Sequence, residues 1–144
     1  MAEYATILDT PYDTHIKFYP EEDPPIIIVL LKPMLETHHK CQLSNKIFID
    51  KFINIFNLSL EKNDKFQLEI DASKIFISDI QKNMNLIADL SNTLENTFPD
   101  KLNKCNIHNA PSTFTNIFSL VSNYISPEVK ERIIVLPKIK SNIS

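Results

Sequence analysis

Residues 98–136 read F-P-D-K-L-N-K-C-N-I-H-N-A-P-S-T-F-T-N-I-F-S-L-V-S-N-Y-I-S-P-E-V-K-E-R-I-I-V-L. A proline-containing turn (Phe98, Pro99, Asp100) precedes a short strand over 104–109, which Ala110-Pro111 ends. The apolar spacing that follows predicts a helix over 112–125. A second turn, Ser126-Pro127, leads into a strand over 132–136. Strand, helix and strand in this order form a unit that demands a parallel pair and a right-handed crossover.

The rest of the chain repeats that logic outward. Alternation of Ile16 and Phe18 with His15, Lys17 and Tyr19 predicts an edge strand over 14–19. Residues 20–25 are acidic and proline-rich and read as a turn. The run I-I-I-V-L-L at 26–31, bounded by Pro24-Pro25 and Pro33, suits a central strand buried on both faces. Residues 32–43 read as a loop. Ser44 suits the N-cap of a helix to about Leu60, with Ile47, Phe48, Phe52, Ile55 and Phe56 on a wide apolar face. Over 66–71, Phe66, Leu68 and Ile70 alternate with Gln67 and Glu69, a strand with one wetter face. Helical spacing of Ile80, Met84, Ile87, Ser91, Leu94 and Phe98 predicts one helix over 77–98, with Ser78 as N-cap and Asp79 facing the helix dipole. Pro137 stops the last strand, and the remaining residues read as a loose tail. The order β, β, α, β, α, β, α, β predicts an α/β fold: a mostly parallel mixed sheet of about five strands flanked by helices.

The 144 residues suit a single domain, 1–144, with a sizeable core, and show no internal repeat, linker or low-complexity segment. A net charge of -3 gives no electrostatic footprint for nucleic acid. No apolar run approaches the ~20 residues of a membrane span. Met1-Ala2-Glu3-Tyr4 carries no basic region leading into an apolar core, so no secretory leader is expected. Two cysteines, Cys41 and Cys105, make no disulfide framework and point to a reducing cytosol. The chain contains no glycine. That excludes, in their usual forms, the phosphate-cradling loop, the dinucleotide fingerprint and the hydrolase nucleophile elbow, all of which need glycine where backbone meets ligand or turns sharply. Ser112 has no His-carboxylate partner pattern and reads, with Thr113, as a cap of the following helix. His38-His39-Lys40-Cys41 invites a metal reading, with Cys105 and His108 as distant partners. Metal ligands must converge from more than one place, and no second cluster exists, so these residues read as structural or solvated and no metal site is assigned.

Three segments, in order, carry a resemblance. They are Ile70-Asp71-Ala72-Ser73-Lys74 with 75–80, then 98–104, then Ile107-His108-Asn109-Ala110-Pro111 with Phe114 and the Ser126-Pro127 to Leu136 stretch. Together they resemble the strand-end, turn and tail motifs of CRAL-TRIO lipid-binding domains, in particular the yeast phosphatidylinositol transfer proteins. The resemblance covers 26–136, with 137–144 as a tail, and lacks the helical N-terminal region that many members carry. Lys74 stands where the family usually has glycine, which implies a different local turn. Asn103 stands at another such position, and asparagine tolerates left-handed backbone.

The resemblance implies one phospholipid held between sheet and a mobile helix, here 113–125, which opens at a membrane and closes again. Phe114, Ile117, Phe118, Val121, Tyr124 and Ile125 would form the gate and touch the lipid tails, and Leu120 broadens that face. Without the resemblance, the same helix reads as packing flat on the sheet. Asp100 and Arg132 match the charged positions that recognise an inositol phosphate; as residues alone they read equally as a solvated turn and a surface cation. Val129 stands where a threonine of that site is usual, and Phe66 and Leu68 replace hydroxyls linked to phosphatidylcholine. The resemblance therefore implies a non-enzymatic, cytoplasmic lipid-transfer protein, peripheral at membranes, needing no cofactor beyond the phospholipid ligand. The alternative is a protein-interaction module of the same fold without a working pocket. An apolar lid on so short a domain also suits a homodimer or a protein partner.

Overall fold

A computed structural model describes residues 10–137. Its elements are β1 (Ile16–Tyr19), β2 (Ile26–Leu30), α1 (Leu31–Lys40), α2 (Asn45–Ser59), β3 (Phe66–Asp71), α3 (Ile77–Gln81), α4 (Met84–Asn96), β4 (Leu102–Ala110), α5 (Phe114–Val121), α6 (Pro127–Glu131) and β5 (Ile133–Pro137), with a 3-10 turn at Ser122–Tyr124. The tail expected at 138–144 lies outside the described residues. The strands form one sheet in the order β1-β2-β3-β4-β5. β1 runs antiparallel to β2, and the other pairs are parallel. This is the mostly parallel mixed sheet flanked by helices that the element order predicts.

Each parallel connection steps to the next strand in the same direction. Right-handed crossovers then put every helix on the same face of the sheet. The register builds that face from two apolar rows. Phe18, Ile27, Leu68, Cys105 and Ile133 are paired in succession, as are Ile16, Val29, Ile70, Ile107 and Val135. The row between them, Lys17, Ile28, Glu69, Asn106 and Ile134, points to the opposite face. Glu69 is the hub there: Gln67 Nε2 (2.9 Å) and Asn106 Nδ2 (2.8 Å) donate to its carboxylate, and His108 Nε2 lies 2.7 Å away. β2 is therefore not buried on both faces. Ile27 and Val29 are buried, whereas Ile26, Ile28 and Leu30 are half-buried on the face that carries no helix among the described residues.

The helical face closes on aromatic packing. Phe56 stacks on Phe66 at 4.3 Å between ring centres and meets Phe98 edge-on at 5.2 Å. Phe48 and Phe52 continue the row along α2. Ser44 caps α2 by accepting from Ile47 N–H at 3.4 Å.

The segment expected as a loop at 32–43 is instead mostly α1. Pro33 sits in its first turn, where the N–H has no helical partner to lose, and Met34, Leu35 and His38 are buried. The helix expected over 77–98 breaks at Lys82-Asn83, where Asn83 is buried and its side-chain amide donates to Asp79 C=O at 2.7 Å. Ser78 is not the cap. Asp79 reaches back to accept from Phe76 N–H at 2.8 Å. The Ser126-Pro127 turn opens into α6, with Ser126 Oγ accepting from Val129 N–H and Pro127 at the first helical position.

Lys74 has φ 61°, so the turn keeps the left-handed conformation that glycine would take and does not become a different turn. Asn103 lies in β4 and donates to Gln67 Oε1; Asp100 (φ 59°) and Asn109 (φ 57°) carry the left-handed backbone nearby. A left-handed lysine costs ~1–2 kcal/mol, against ~0.5–1 kcal/mol of extra entropy for glycine in the unfolded chain. Lys74→Gly is therefore expected to raise stability by about 0.5–1 kcal/mol, read from the urea midpoint at unchanged slope.

Candidate functional site

The helices do not press flat on the sheet. Between them lies an apolar cavity of about 140 Å³. Its floor includes Leu68, Ile70, Cys105, Ile107 and Ile133; α2 contributes Phe48 and Phe52, and α4 contributes Leu86, Ile87, Leu90 and Leu94. The α5 side forms a further wall. Phe114, Ile117 and Val121 are buried and line it, with half-buried Phe118 and Ile125 beside them. Tyr124, expected on the same wall, is 53 % exposed and does not line the cavity. α5 ends at Val121, and the tighter 3-10 turn carries Tyr124 off the helical stripe.

α5 is short, and its start is held by the buried Phe114, whose N–H donates to Pro111 C=O at 2.8 Å, without a side-chain cap. Thr113 occupies the N-cap position, but its side chain makes no capping hydrogen bond, contrary to the expected role of Ser112 and Thr113. Missing a side-chain cap forgoes ~1 kcal/mol at that end. Beyond the other end, just past the 3-10 turn, Ser126 N–H donates to the buried Ser91 of α4 at 3.1 Å.

Cys105 faces the cavity, and burial, reinforced by the Glu69 carboxylate, pushes its thiol up to about 12. The thiol stays protonated at neutral pH and lacks the thiolate that nucleophiles need.

At the amino-terminal edge of the parallel strands, charged residues meet. Arg132 Nη2 donates to Asp100 Oδ1 at 3.1 Å, and Lys65 Nζ lies 3.7 Å from the same oxygen. Asp100 N–H donates to Glu128 Oε1 at 2.9 Å. The structure thus brings Asp100 and Arg132 together, and adds Lys65 and Glu128, which the sequence reading missed. The available signal was positional: Lys65 immediately precedes β3, and the starts of parallel neighbours share one edge. This cluster adjoins the cavity through the backbone. Arg132 C=O accepts from Cys105 N–H at 2.8 Å, and Val129 and Ile133, on either side of Arg132, both line the cavity.

The His38, Cys41, Cys105 and His108 set does not converge. Cys41 is exposed after α1, Cys105 faces the cavity, and His108 bonds Glu69 on the opposite sheet face. His38 is buried between Tyr12 and Asn45. Asn45 Nδ2 donates to Asp89, so Asn45 Oδ1 is free to accept from His38 Nε2–H at 3.2 Å. That leaves His38 Nδ1 to accept from the Tyr12 hydroxyl at 2.5 Å, in a neutral ring. Burial pulls the imidazole below its ordinary value, with His39 adding to the effect and Asn45 opposing it. The unfolded chain therefore binds the extra proton first; this contribution to stability is present above about 6.5 and is lost as pH falls below that toward the lower folded value. The thermal midpoint is expected to drop between about pH 7.5 and about pH 5.5, and His38→Gln is expected to flatten that drop.

No curated protein matches the sequence. Among solved structures, the crystal structure of Sfh5 superposes with a TM-score of 0.72 at 15% identity, over 92% of this chain and 50% of that one. The chain thus spans about half the length of that protein and shares its fold. The CRAL/TRIO domain model matches residues 19–144. With helices, cavity and charged edge all inside that span, the chain belongs to the CRAL/TRIO domain family.

Proposed function

We propose that this chain binds one phospholipid, of the phosphatidylinositol or phosphoinositide class, and transfers it between membranes. The tails occupy the cavity under α5, and the head group sits at the Lys65, Asp100 and Arg132 edge. The observation that carries this reading is the continuity of the two. A dry apolar cavity runs to Val129 and Ile133, and the same turn presents Arg132 outward.

Arg132 uses one of its five N–H donors on Asp100, which leaves others for a phosphate. Each tail CH2 buried contributes ~0.8 kcal/mol, enough for a long chain to hold firmly in a cavity this apolar. The volume sets the mechanism. About 140 Å³ is close to the ~150 Å³ that holds a benzene ring and far below the ~300–1,000 Å³ of common ligand pockets. A phospholipid therefore enters only when α5 moves outward, and the weakly capped start of α5 is the end that yields. Membrane contact triggers that movement in a peripheral, cytosolic protein. No catalysis is assigned, and the protonated Cys105 thiol accords with that.

The small volume is also what the rival reading, a protein-interaction module with no working pocket, would use. Val121→Phe separates the two, because it fills space at the gate. Lipid extracted from the purified protein and identified by mass spectrometry is expected to be an inositol phospholipid. Val121→Phe is expected to lower its occupancy about ten-fold while the fold survives the ~1–3 kcal/mol of overpacking. A protein that carries no lipid and moves none between vesicles is the module instead.

Arg132→Ala is expected to weaken inositol-lipid transfer several-fold. It is expected to change unfolding stability by less than ~1 kcal/mol, because its partner Asp100 is largely exposed. Equal transfer of inositol lipids by Arg132→Ala and the parent would remove the head-group assignment.

A further inference from the structure

The strand-to-helix turn after β3 ends in two neighbouring apolar side chains that point outward. Phe76 is 62% exposed and Ile77 is 42% exposed. Ser73 and Lys74 before them and Ser78 after them are also exposed, while Ile75 between them is buried and holds the turn down.

The turn is rigidly built. Asp71 accepts from Ser73 N–H and Ser73 Oγ, and from Asn109 Nδ2, so its carboxylate is occupied within the turn. Asp79 accepts from Phe76 N–H and pairs with Lys32 at 3.0 Å. The Lys32 ammonium also lies 4.2 Å from the centre of the Phe76 ring. Asp79 is thus paired with Lys32, and the ionised Asp71 is turned inward onto Ser73 and Asn109, which leaves Lys74 as the exposed charge at the tip. A pair of apolar side chains flanked by hydroxyls and a cation fits one partner chemistry: the interface of a bilayer that bears anionic lipids. Apolar groups enter the acyl boundary, and the lysine meets the lipid phosphates.

The position of the tip points the same way. α3, which begins at Ile77, packs against α5, and Ile80 on its inner side lines the cavity together with Phe114. The tip thus stands beside the uncapped start of the helix that walls the cavity. The other exposed large apolar residues are dispersed: Tyr19 lies on the edge strand β1, Ile47 on α2, Ile134, Val135 and Leu136 on the opposite edge strand β5, and Tyr124 in the 3-10 turn at the far end of α5.

We infer that Phe76, Ile77 and Lys74 form the surface by which the chain docks on an anionic bilayer, with the start of α5 turned toward the lipid. This rests on the lipid-transfer reading above, and it is tested by a separate readout. Full-length protein is sedimented with vesicles of phosphatidylcholine alone or mixed with phosphatidylserine, and the lipid it already carries is quantified in parallel. The parent is expected to bind the anionic vesicles. Phe76→Ser with Ile77→Ser is expected to lower that binding at least ten-fold, as loss of two half-exposed apolar side chains implies. Lys74→Ser is expected to weaken binding several-fold on anionic vesicles and to leave neutral ones unchanged. Carried lipid is expected to stay at the parental level in every variant, which marks the fold and cavity as intact. Parental binding by the double variant would overturn the assignment. So would a parent that ignores both vesicle types, and the tip would then serve a protein partner. Parental protein that docks but carries no lipid would instead remove the pocket reading and leave the docking surface standing.

Discussion

Everything in this molecule depends on the single handedness of its crossovers. Three right-handed connections that always step to the next strand can only stack their helices on one side of the sheet. The apolar rows through Leu68 and Ile70 must therefore be covered by α2, α4 and α5 together. Three helices over one twisted sheet leave space between them unless large side chains fill it. Phe56, Phe66 and Phe98 fill the amino-terminal side of that space. Under α5 the filling stops, and the cavity begins.

The same constraint sets the chemistry at both ends. Because β3, β4 and β5 start at one edge, their preceding turns deliver Lys65, Asp100 and Arg132 to one place without any contact being designed between distant segments. Because they finish at the other edge, the turn bearing Phe76 and the start of α5 lie together. A lipid that spans the cavity would have its charged end at the first edge and its route to a bilayer at the second. The face that carries no helix among the described residues is made polar by a different device. Glu69, Gln67, Asn106 and His108 hydrogen-bond one another across β3 and β4, which makes an exposed sheet face polar where the helical face is dry.

Much of this was legible in the sequence, because period-2 and period-3.6 spacing respond directly to burial. β3 has the expected bounds, and α2 begins after Ser44 as its capping chemistry dictates. The misreadings share one cause: tertiary contacts outweighed a local signal. Pro33 bounds the expected strand and sits in the expected loop, but in a helix's first turn it costs nothing. Asn83 broke a helix that apolar spacing alone would continue, because its side chain is buried against the Asp79 carbonyl. Lys74 accepts a left-handed backbone that the sequence would assign to glycine, because Asp71 and Ile75 pin the turn around it. Within the site, the α5 stripe of Phe114, Ile117, Phe118 and Val121 follows from periodicity. Tyr124 does not, because the helix tightens one turn early. The α4 wall was readable only as core, since nothing in a single sequence distinguishes a residue that fills space from one that borders it.

On the proposed reading, the space beneath α5 admits a lipid chain by outward movement of that helix. A crystal structure of the lipid-loaded protein tests this most directly. In it, α5 is expected to be displaced at its Phe114 end and the cavity enlarged from about 140 Å³ into the ~300–1,000 Å³ range. An acyl chain would run past Ile117 and Phe118 toward Val129, with the phosphate beside Arg132. A loaded protein whose α5 has not moved, whose cavity has not enlarged and whose lipid lies elsewhere on the surface would contradict it.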